Sequence, residues 1–332
     1  MSEEPIRITL VRHGQSEANL VQRWQGQGDS PLSALGKQQA ERLGTRLARR
    51  SYTRVVASDL QRAADTARAT GFSFSQERAL REFDVGAWEG LTREEVEARF
   101  PDDIERLKRG EDVPLGGGES YSVFSARVDE AFARLREPLA PGDQLLVVCH
   151  GGVIATYLSG LLGLRGARDW SLARVANTSL TELSFSAHGT LLHVFNDTLH
   201  LAELDSWPPY SDAPGTVCLV CDALPEAALG PFAAHYDVAP QLSALGPAPD
   251  AQAYAVLLAD TVNQLHTRHP EQRVSLAAHG ASIHAWAEAT LLRGVALARD
   301  AGAMLAPPPQ GSISHVGRWN ERLLLLDYAV GG

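Results

Sequence analysis

The chain has 332 residues, 44% of them hydrophobic and 21% charged, so it can bury a sizeable core and is not a disordered segment. A formal net charge of -10 excludes the basic footprint of a nucleic-acid binder, although a few local arginines can still dominate an anion pocket. Three cysteines build no disulfide framework, the opening MSEEPIRITLVRHG is not a signal peptide, and no apolar run approaches the roughly 18 residues of a membrane span. The expectation is a soluble cytoplasmic protein with no membrane or nucleic-acid partner.

In chain order, IRITLV is a short apolar strand ending in a glycine-containing turn. Leu35, Ala40, Leu43 and Leu47 recur at helical spacing. TRVVAS predicts a second strand, followed by a helix from Asp59 to Ala69. Residues 84–118 are charged and glycine-rich and end in PLGGGES, which predicts an excursion or lid. Phe124, Val128, Phe132 and Leu135 mark another amphipathic helix. QLLVVC is a third buried strand, followed by HGGV and the helical IATYLSGLL. SLTELSF and LLHVFND read as a hairpin with HG at its turn. This alternation predicts an α/β fold, a three-layer α/β/α sandwich with a mostly parallel sheet.

A boundary falls at residues 205–215, punctuated by Pro208, Pro209, Pro214 and Gly215. Residues 216–332 then repeat residues 1–204 in shorter form. TVCLVC stands for IRITLV, and Tyr254, Leu258, Val262 and Leu265 repeat the spacing of the Phe124 helix. RVSLAAHGASI matches QLLVVCHGGVI, and GSISHVGRWNERLLLLDY matches the strand pair after it. The expected organisation is a catalytic domain, a linker, and a smaller, degenerate α/β copy without chemistry of its own. In that copy Arg12, His13 and Gly14 become Cys221, Asp222 and Ala223. Cys218 and Cys221 form a C-x-x-C on a strand, where residues three apart point to opposite faces, so neither a metal nor a redox role is expected. His284 and His315 give no metal spacing.

Arg12, His13 and His150 each follow the carboxyl end of an apolar strand, and Arg62 lies one helical turn past another. That edge is where ligands bind in an open α/β sheet. Two arginines, two histidines and Glu82 suit a phosphate monoester. Paired guanidiniums offset the dianion. The neutral imidazole of His13 can attack phosphorus in line and form a phosphohistidine. His150 can donate a hydrogen bond to a transferring oxygen. Glu82 is the candidate general acid for the leaving alkoxide. Gly14 and Gly151 let backbone amides approach the anion.

The segments LVRHGQSEANLVQRWQGQGDSPLSALGKQQA, ASDLQRAADTA, LREFDVGAWEGLT, GGGES and VVCHGGVI together resemble the histidine phosphatase superfamily, in its phosphoglycerate-mutase-like branch, from about Ile6 to Leu204. The resemblance implies that His13 is the phosphorylated nucleophile and Glu82 the proton donor, with Arg12, Arg62 and His150 forming the phosphate pocket. It further implies phosphate contacts from Asn19 and a pocket lining from Gln25 and Gly26, with no metal and no cofactor.

Within the branch, LREFDVGAWEG looks like the phosphatase version, and Ala18-Asn19 stands where mutases carry Trp-Asn. The expected activity is therefore a metal-independent phosphomonoesterase acting on small phosphorylated metabolites. A cofactor-dependent phosphoglycerate mutase and a non-catalytic phospho-ligand-binding regulator are the alternatives. Specificity is expected from residues 84–118, where Trp88, Arg93, Arg99 and Lys108 are candidates to meet the substrate's non-phosphate portion. The C-terminal copy is expected to serve packing, substrate shielding or assembly into a homo-oligomer.

Overall fold

The run IRITLVR forms strand β1 (Ile6–Arg12), whose Ile8, Leu10 and Val11 are buried. Behind it come a short helix α1 (Glu17–Leu20) and a longer helix α2 (Ala34–Leu47). Helix α2 is capped by the Ser33 hydroxyl and buries Ala40, Leu43 and Leu47 along one stripe. Strand β2 (Arg54–Ala57), helix α3 (Gln61–Ala69) and the two-residue strand β3 (Ser75–Gln76) follow.

The charged excursion contains more regular structure than its composition predicts. It carries α4 (Arg93–Arg99) and α5 (Pro101–Arg109). Thr92 and Glu95 form a reciprocal capping box at the start of α4. Pro101 opens α5, and Gly110, at φ 86°, closes it. Ile104 and Leu107 pack on a small core of Val85, Trp88, Val96 and Leu115. Helix α6 (Tyr121–Arg136) then buries Phe124, Val128, Phe132 and Leu135, the predicted stripe. Strand β4 (Gln144–Cys149) and helix α7 (Gly151–Leu161) complete this part.

These are the first elements of a computed structural model that describes residues 4–164, 172, 175–201, 204, 217–221, 258, 261–262, 264–265, 267, 274–278, 283–284, 286–287, 303–308, 310, 313–319, 322–325 and 328. The chain divides into two units, residues 1–160 and 161–332. In the first, the strands run parallel in the order β3-β2-β4-β1. β1 and β4 pair from Arg7↔Gln144 to Arg12↔Cys149, and β2 joins β4 up to Ala57↔Val148. This register puts the carboxyl ends of β1, β2 and β4 level. His13, Ser58 and His150 therefore leave the sheet at one edge, where an open parallel sheet binds its ligands.

In the second unit, β5 (Leu180–Ser186) and β6 (Gly189–Asp197) form the predicted antiparallel hairpin, closing at Ser186↔Gly189. Strands β7 (Val217–Cys221), β8 (Val274–Ala278), β9 (Ala303–Leu305), β10 (Ile313–Trp319) and β11 (Arg322–Leu325) follow. Four of them form a separate sheet in the order β11-β10-β7-β8, in which β7 and β8 are parallel and β10 is antiparallel to both its neighbours. Strand β9 instead runs parallel to β6, from Thr190↔Ala303 to Leu192↔Leu305, and Tyr328 bridges to Phe195. The C-terminal stretch thus supplies hydrogen-bond partners to the hairpin that precedes the expected linker.

The fold class is α/β, as expected; the sheet is mixed, since β5 and β6 pair antiparallel beside the parallel strands. VCLVC is a strand, and Leu258, Val262 and Leu265 are buried, as their spacing predicts. The expected linker, Tyr254, Asp222, Ala223 and His279 lie outside the described residues. Among the described residues, no helix is long and apolar enough to cross a membrane.

Candidate active site

The turn after β1 is fixed from several sides. The His13 N–H donates to the Cys149 carbonyl at 2.9 Å, continuing the β1–β4 ladder by one residue. The Gly14 N–H donates to the Thr66 hydroxyl on α3 at 3.0 Å, and that hydroxyl donates to the Arg62 carbonyl at 2.7 Å. A Cβ on Gly14 would lie 2.5 Å from the Gly36 carbonyl oxygen of α2, so only glycine lets the turn close against that helix. Ser16 and Asn19 form a reciprocal capping box on α1. The Ser16 hydroxyl also donates to the Gln25 Oε1 at 3.0 Å.

His13 is 3% exposed, and its Nδ1 lies 2.7 Å from its neighbour's carbonyl, that of Gly14. A carbonyl only accepts, so Nδ1 carries the proton and the lone pair sits on Nε2. Burial, then the charges of Arg62 and Arg12, hold this imidazole well below its usual pKa. His150 is fully buried and depressed in the same way, by burial first and then by Arg62, His13 and Arg12. The two rings meet edge-on with centroids 5.1 Å apart. His150 Nε2 lies 2.9 Å from the Ser58 hydroxyl, which accepts the Leu60 N–H, and its Nδ1 is buried with no hydrogen-bond partner.

Arg62 is 1% exposed. Its guanidinium donates to the Gly28 and Gly26 carbonyls at 2.8 and 2.9 Å, while its buried Nε has no partner. Burial lowers its pKa to about 10, against the opposing pull of Glu82. Arg12 is lowered by burial as well, again opposed by Glu82. Glu82 accepts from its neighbour's N–H at Phe83 and from the Gly152 N–H, both at 2.9 Å. The structure therefore brings Arg12, His13, Arg62, Glu82 and His150 into one electrostatically coupled cluster at the sheet edge. Gln25 is half-buried beside them, with a buried Nε2 that has no partner. Gly26 turns at φ 49° and offers its carbonyl to Arg62. A Cβ on Gly151 would meet Arg12 Cδ at an ordinary 3.4 Å.

Two buried imidazoles held toward the neutral form by burial and by the Arg12 and Arg62 guanidiniums can accept a compact dianion and present a nucleophilic nitrogen to it. A model of the histidine phosphatase superfamily (branch 1) matches residues 8–198, more than half of the chain.

The chain belongs to the histidine phosphatase superfamily.

A Salmonella choleraesuis protein named "Probable phosphoglycerate mutase GpmB" is 35% identical over 211 residues, covering 59% of this chain and 95% of that one. Among solved structures, the alpha-ribazole phosphatase of Shigella flexneri is 27% identical with a TM-score of 0.52, covering 58% of this chain and 96% of that one. A phosphoserine phosphatase mutant of Entamoeba histolytica, in complex with phosphoserine, is 27% identical with a TM-score of 0.53, covering 59% and 99%. Membership of the superfamily is consistent with a phosphoric monoester hydrolase.

Against this histidine phosphatase frame, one expectation is corrected. Trp88 does not face a substrate. It is 2% exposed, stacks edge-on against Trp24 at 5.5 Å and anchors the small core under α4 and α5. Arg93 and Lys108 are engaged with Glu97 and Glu105 on the protein's own surface. The pairing gives each a local partner, the ordinary fate of an exposed charge on a helix.

Sequence reasoning missed several polar residues that hold the site. Glu89 Oε1 accepts from the Gln27 and Gly28 N–H groups at 2.6 and 2.9 Å and so shapes the loop that receives Arg62. Arg81 pairs with both oxygens of Asp59 at 2.8 and 2.7 Å. Thr66 had a legible signal, four residues after Arg62 and on the same helix face. Glu89 had none, because its partners lie more than 60 residues away.

Proposed function

We propose that the chain is a phosphomonoesterase acting on small phosphorylated metabolites through a phosphohistidine at His13. The observation that carries this reading is the Nδ1 hydrogen bond to the Gly14 carbonyl, which puts the proton on Nδ1 and makes Nε2 the nucleophilic nitrogen. Depression of the His13 pKa by burial and by the two arginines supports a neutral nucleophile near neutral pH.

In the first half-reaction, Nε2 bonds to phosphorus as the P–O ester bond breaks, and the leaving alkoxide takes a proton from Glu82. In the second, Glu82 accepts a proton from water as its oxygen attacks phosphorus, the P–N bond breaks, and inorganic phosphate leaves. Arg12 and Arg62 offset the charge on the equatorial oxygens. With Ser58 donating to Nε2, the unpartnered Nδ1 of His150 carries a proton that can bind a transferring oxygen. The buried amide of Gln25 is a further donor suited to the same group, and Asn19, set by its capping box, is assigned a phosphate contact.

Several cations around the Glu82 loop are already committed, which favours a phosphatase over a phosphoglycerate mutase. Arg81 pairs with Asp59, Arg127 with Glu119 and Arg23 with Glu95. That arrangement suits a substrate whose negative charge is concentrated on the phosphate, rather than one with a carboxylate to hold as well. The resemblance to a protein named as a mutase makes the comparison worth measuring. The purified protein is expected to release phosphate from aryl and alkyl phosphates in EDTA, faster than it interconverts 3- and 2-phosphoglycerate. His13→Ala is expected to abolish turnover, and a rapid quench is expected to place the phosphoryl group on His13. Turnover by that variant, or label on another residue, overturns the reading.

Residues 216–332 are proposed to be a shortened copy of residues 1–204 that has lost its chemistry. Strands β7 and β8 pair in parallel up to Cys221↔Ala278, the positions that align with the Arg12↔Cys149 pair closing β1 and β4. The antiparallel β10–β11 pair likewise corresponds to β5–β6. The pairing of β9 with β6 favours a packing role for this part.

A further inference from the structure

We propose that Arg127, held by Glu119, is a positioning residue that sets the carboxylate of Glu82 for proton transfer; the inference rests on Glu82 being the proton donor. Both residues reach the Glu82 loop through its backbone, and the Arg127 charge also helps to lower the His150 pKa. Arg127 sits on α6, and its five N–H donors are all used. Nε and one Nη2 proton fork onto the two oxygens of Glu119, both at 2.7 Å. Nη1 donates to the carbonyls of Ala79 and Arg81 at 2.9 and 2.8 Å, and Nη2 donates to the carbonyl of Glu82 itself at 3.2 Å.

Glu119 grips the other side of the same loop. Its Oε2 accepts the Asp84 N–H at 3.0 Å, and its backbone N–H donates to the Asp84 carbonyl at 2.8 Å. The backbone is thus held at residues 79, 81, 82 and 84 by one ion pair whose side chains are only 22% and 14% exposed. The neighbouring side chain is pinned by the same helix. Phe83 stacks on Phe124 with centroids 4.6 Å apart and planes 4° apart, and the Arg127 guanidinium lies 5.1 Å over that Phe124 ring. With its main chain fixed in this way, the Glu82 carboxylate reaches the Gly152 N–H and faces the two site arginines.

A general acid works only within hydrogen-bond reach of the oxygen it protonates, and a displacement of about 1 Å can cost about 100-fold. A lysine could not replace this arginine, because an ammonium has three donors and no planar fork. The GGGES segment, glycine-rich up to Glu119, therefore serves the acid through its glutamate.

The test uses the dependence of kcat/KM on the leaving group. A 4-nitrophenolate departs without a proton, whereas an alkoxide needs one, so a misplaced acid hurts alkyl phosphates selectively. Glu82→Gln is expected to lower kcat/KM for an alkyl phosphate at least about tenfold more than for 4-nitrophenyl phosphate. Arg127→Met is expected to change that ratio in the same direction, by about tenfold, with KM for 4-nitrophenyl phosphate little altered. If Glu82→Gln shifts the ratio and Arg127→Met lowers both substrates equally, Arg127 has only a structural role and the inference falls while the proton-donor reading stands. If Glu82→Gln leaves the ratio unchanged, the proton-donor reading falls and takes the inference with it. Should Arg127→Met not fold, Glu119→Gln, which breaks one arm of the fork, is read in its place, and an unchanged ratio there overturns the inference.

Discussion

The carboxylate of Glu82 accepts a hydrogen bond from the Gly152 N–H at 2.9 Å, joining the loop after β3 to the first turn of α7. A Cβ on Gly152 would lie 2.2 Å from Glu82 Oε1, so the second glycine of HGG is the one the carboxylate requires. Gly152→Ala is expected to swing Glu82 away and to lower kcat/KM for alkyl phosphates by about 100-fold. The colliding atom is the end of a flexible side chain, so thermal stability is expected to change by less than about 1 kcal/mol. Unchanged alkyl phosphate turnover in Gly152→Ala would place the working carboxylate elsewhere.

Stability is expected to depend on the two site histidines between pH 7.5 and 5. Both have folded pKa values well below the unfolded value of 6.5. Above 6.5 folded and unfolded states alike hold neutral imidazole, so their contribution is complete. Below it the unfolded chain binds protons that the folded chain refuses, and stability falls by up to about 1.4 kcal/mol per pH unit for each ring. Urea midpoints measured across this range should fall less steeply in His13→Gln and in His150→Gln than in the parent. Equal slopes would mean that the rings titrate normally in the folded protein.

Glu89 reaches the phosphate cradle through the loop it binds. It accepts from the N–H groups of Gln27 and Gly28, and the carbonyls of Gly26 and Gly28 hold Arg62. Glu89→Ala is expected to loosen the guanidinium and raise KM about tenfold, a loss of about 1.4 kcal/mol, with kcat within about threefold. A fall in kcat at constant KM would contradict a role confined to binding.

Tyr328 joins the C-terminal stretch to the hairpin. Its backbone exchanges hydrogen bonds with Phe195 at 3.0 and 3.1 Å, its hydroxyl donates to the Ala306 carbonyl at 2.9 Å, and its side chain is fully buried. Tyr328→Ala is expected to cost about 3–5 kcal/mol in chemical denaturation, and Tyr328→Phe about 1 kcal/mol. A Tyr328→Ala protein as stable as the parent would show that the C-terminal segment contributes nothing to the hairpin.

Much of the fold was legible from local pattern. Buried parallel strands read as unbroken apolar runs, so IRITLV, RVVA and QLLVVC declared themselves, and the Phe124 stripe fitted one face of a helix. The excursion was harder to read. Its helices are short and fully bury little, Val96 on α4 and none of α5, although Thr92 with Glu95 and Pro101 were capping signals in plain view.

His13 and His150 could be found from sequence because each directly follows a strand end, and Arg62 because it lies in the first turn of the helix after one. The tertiary structure decided what that position means chemically. It tied the Gly14 N–H to Thr66, chose Gly152 as the partner of Glu82, buried Trp88, and closed the Arg127 fork on a loop 45 to 48 residues away. Chain periodicity carries which face of an element is apolar. Hydrogen bonds between distant segments depend on side-chain direction to within a fraction of an ångström, and packing alone supplies that.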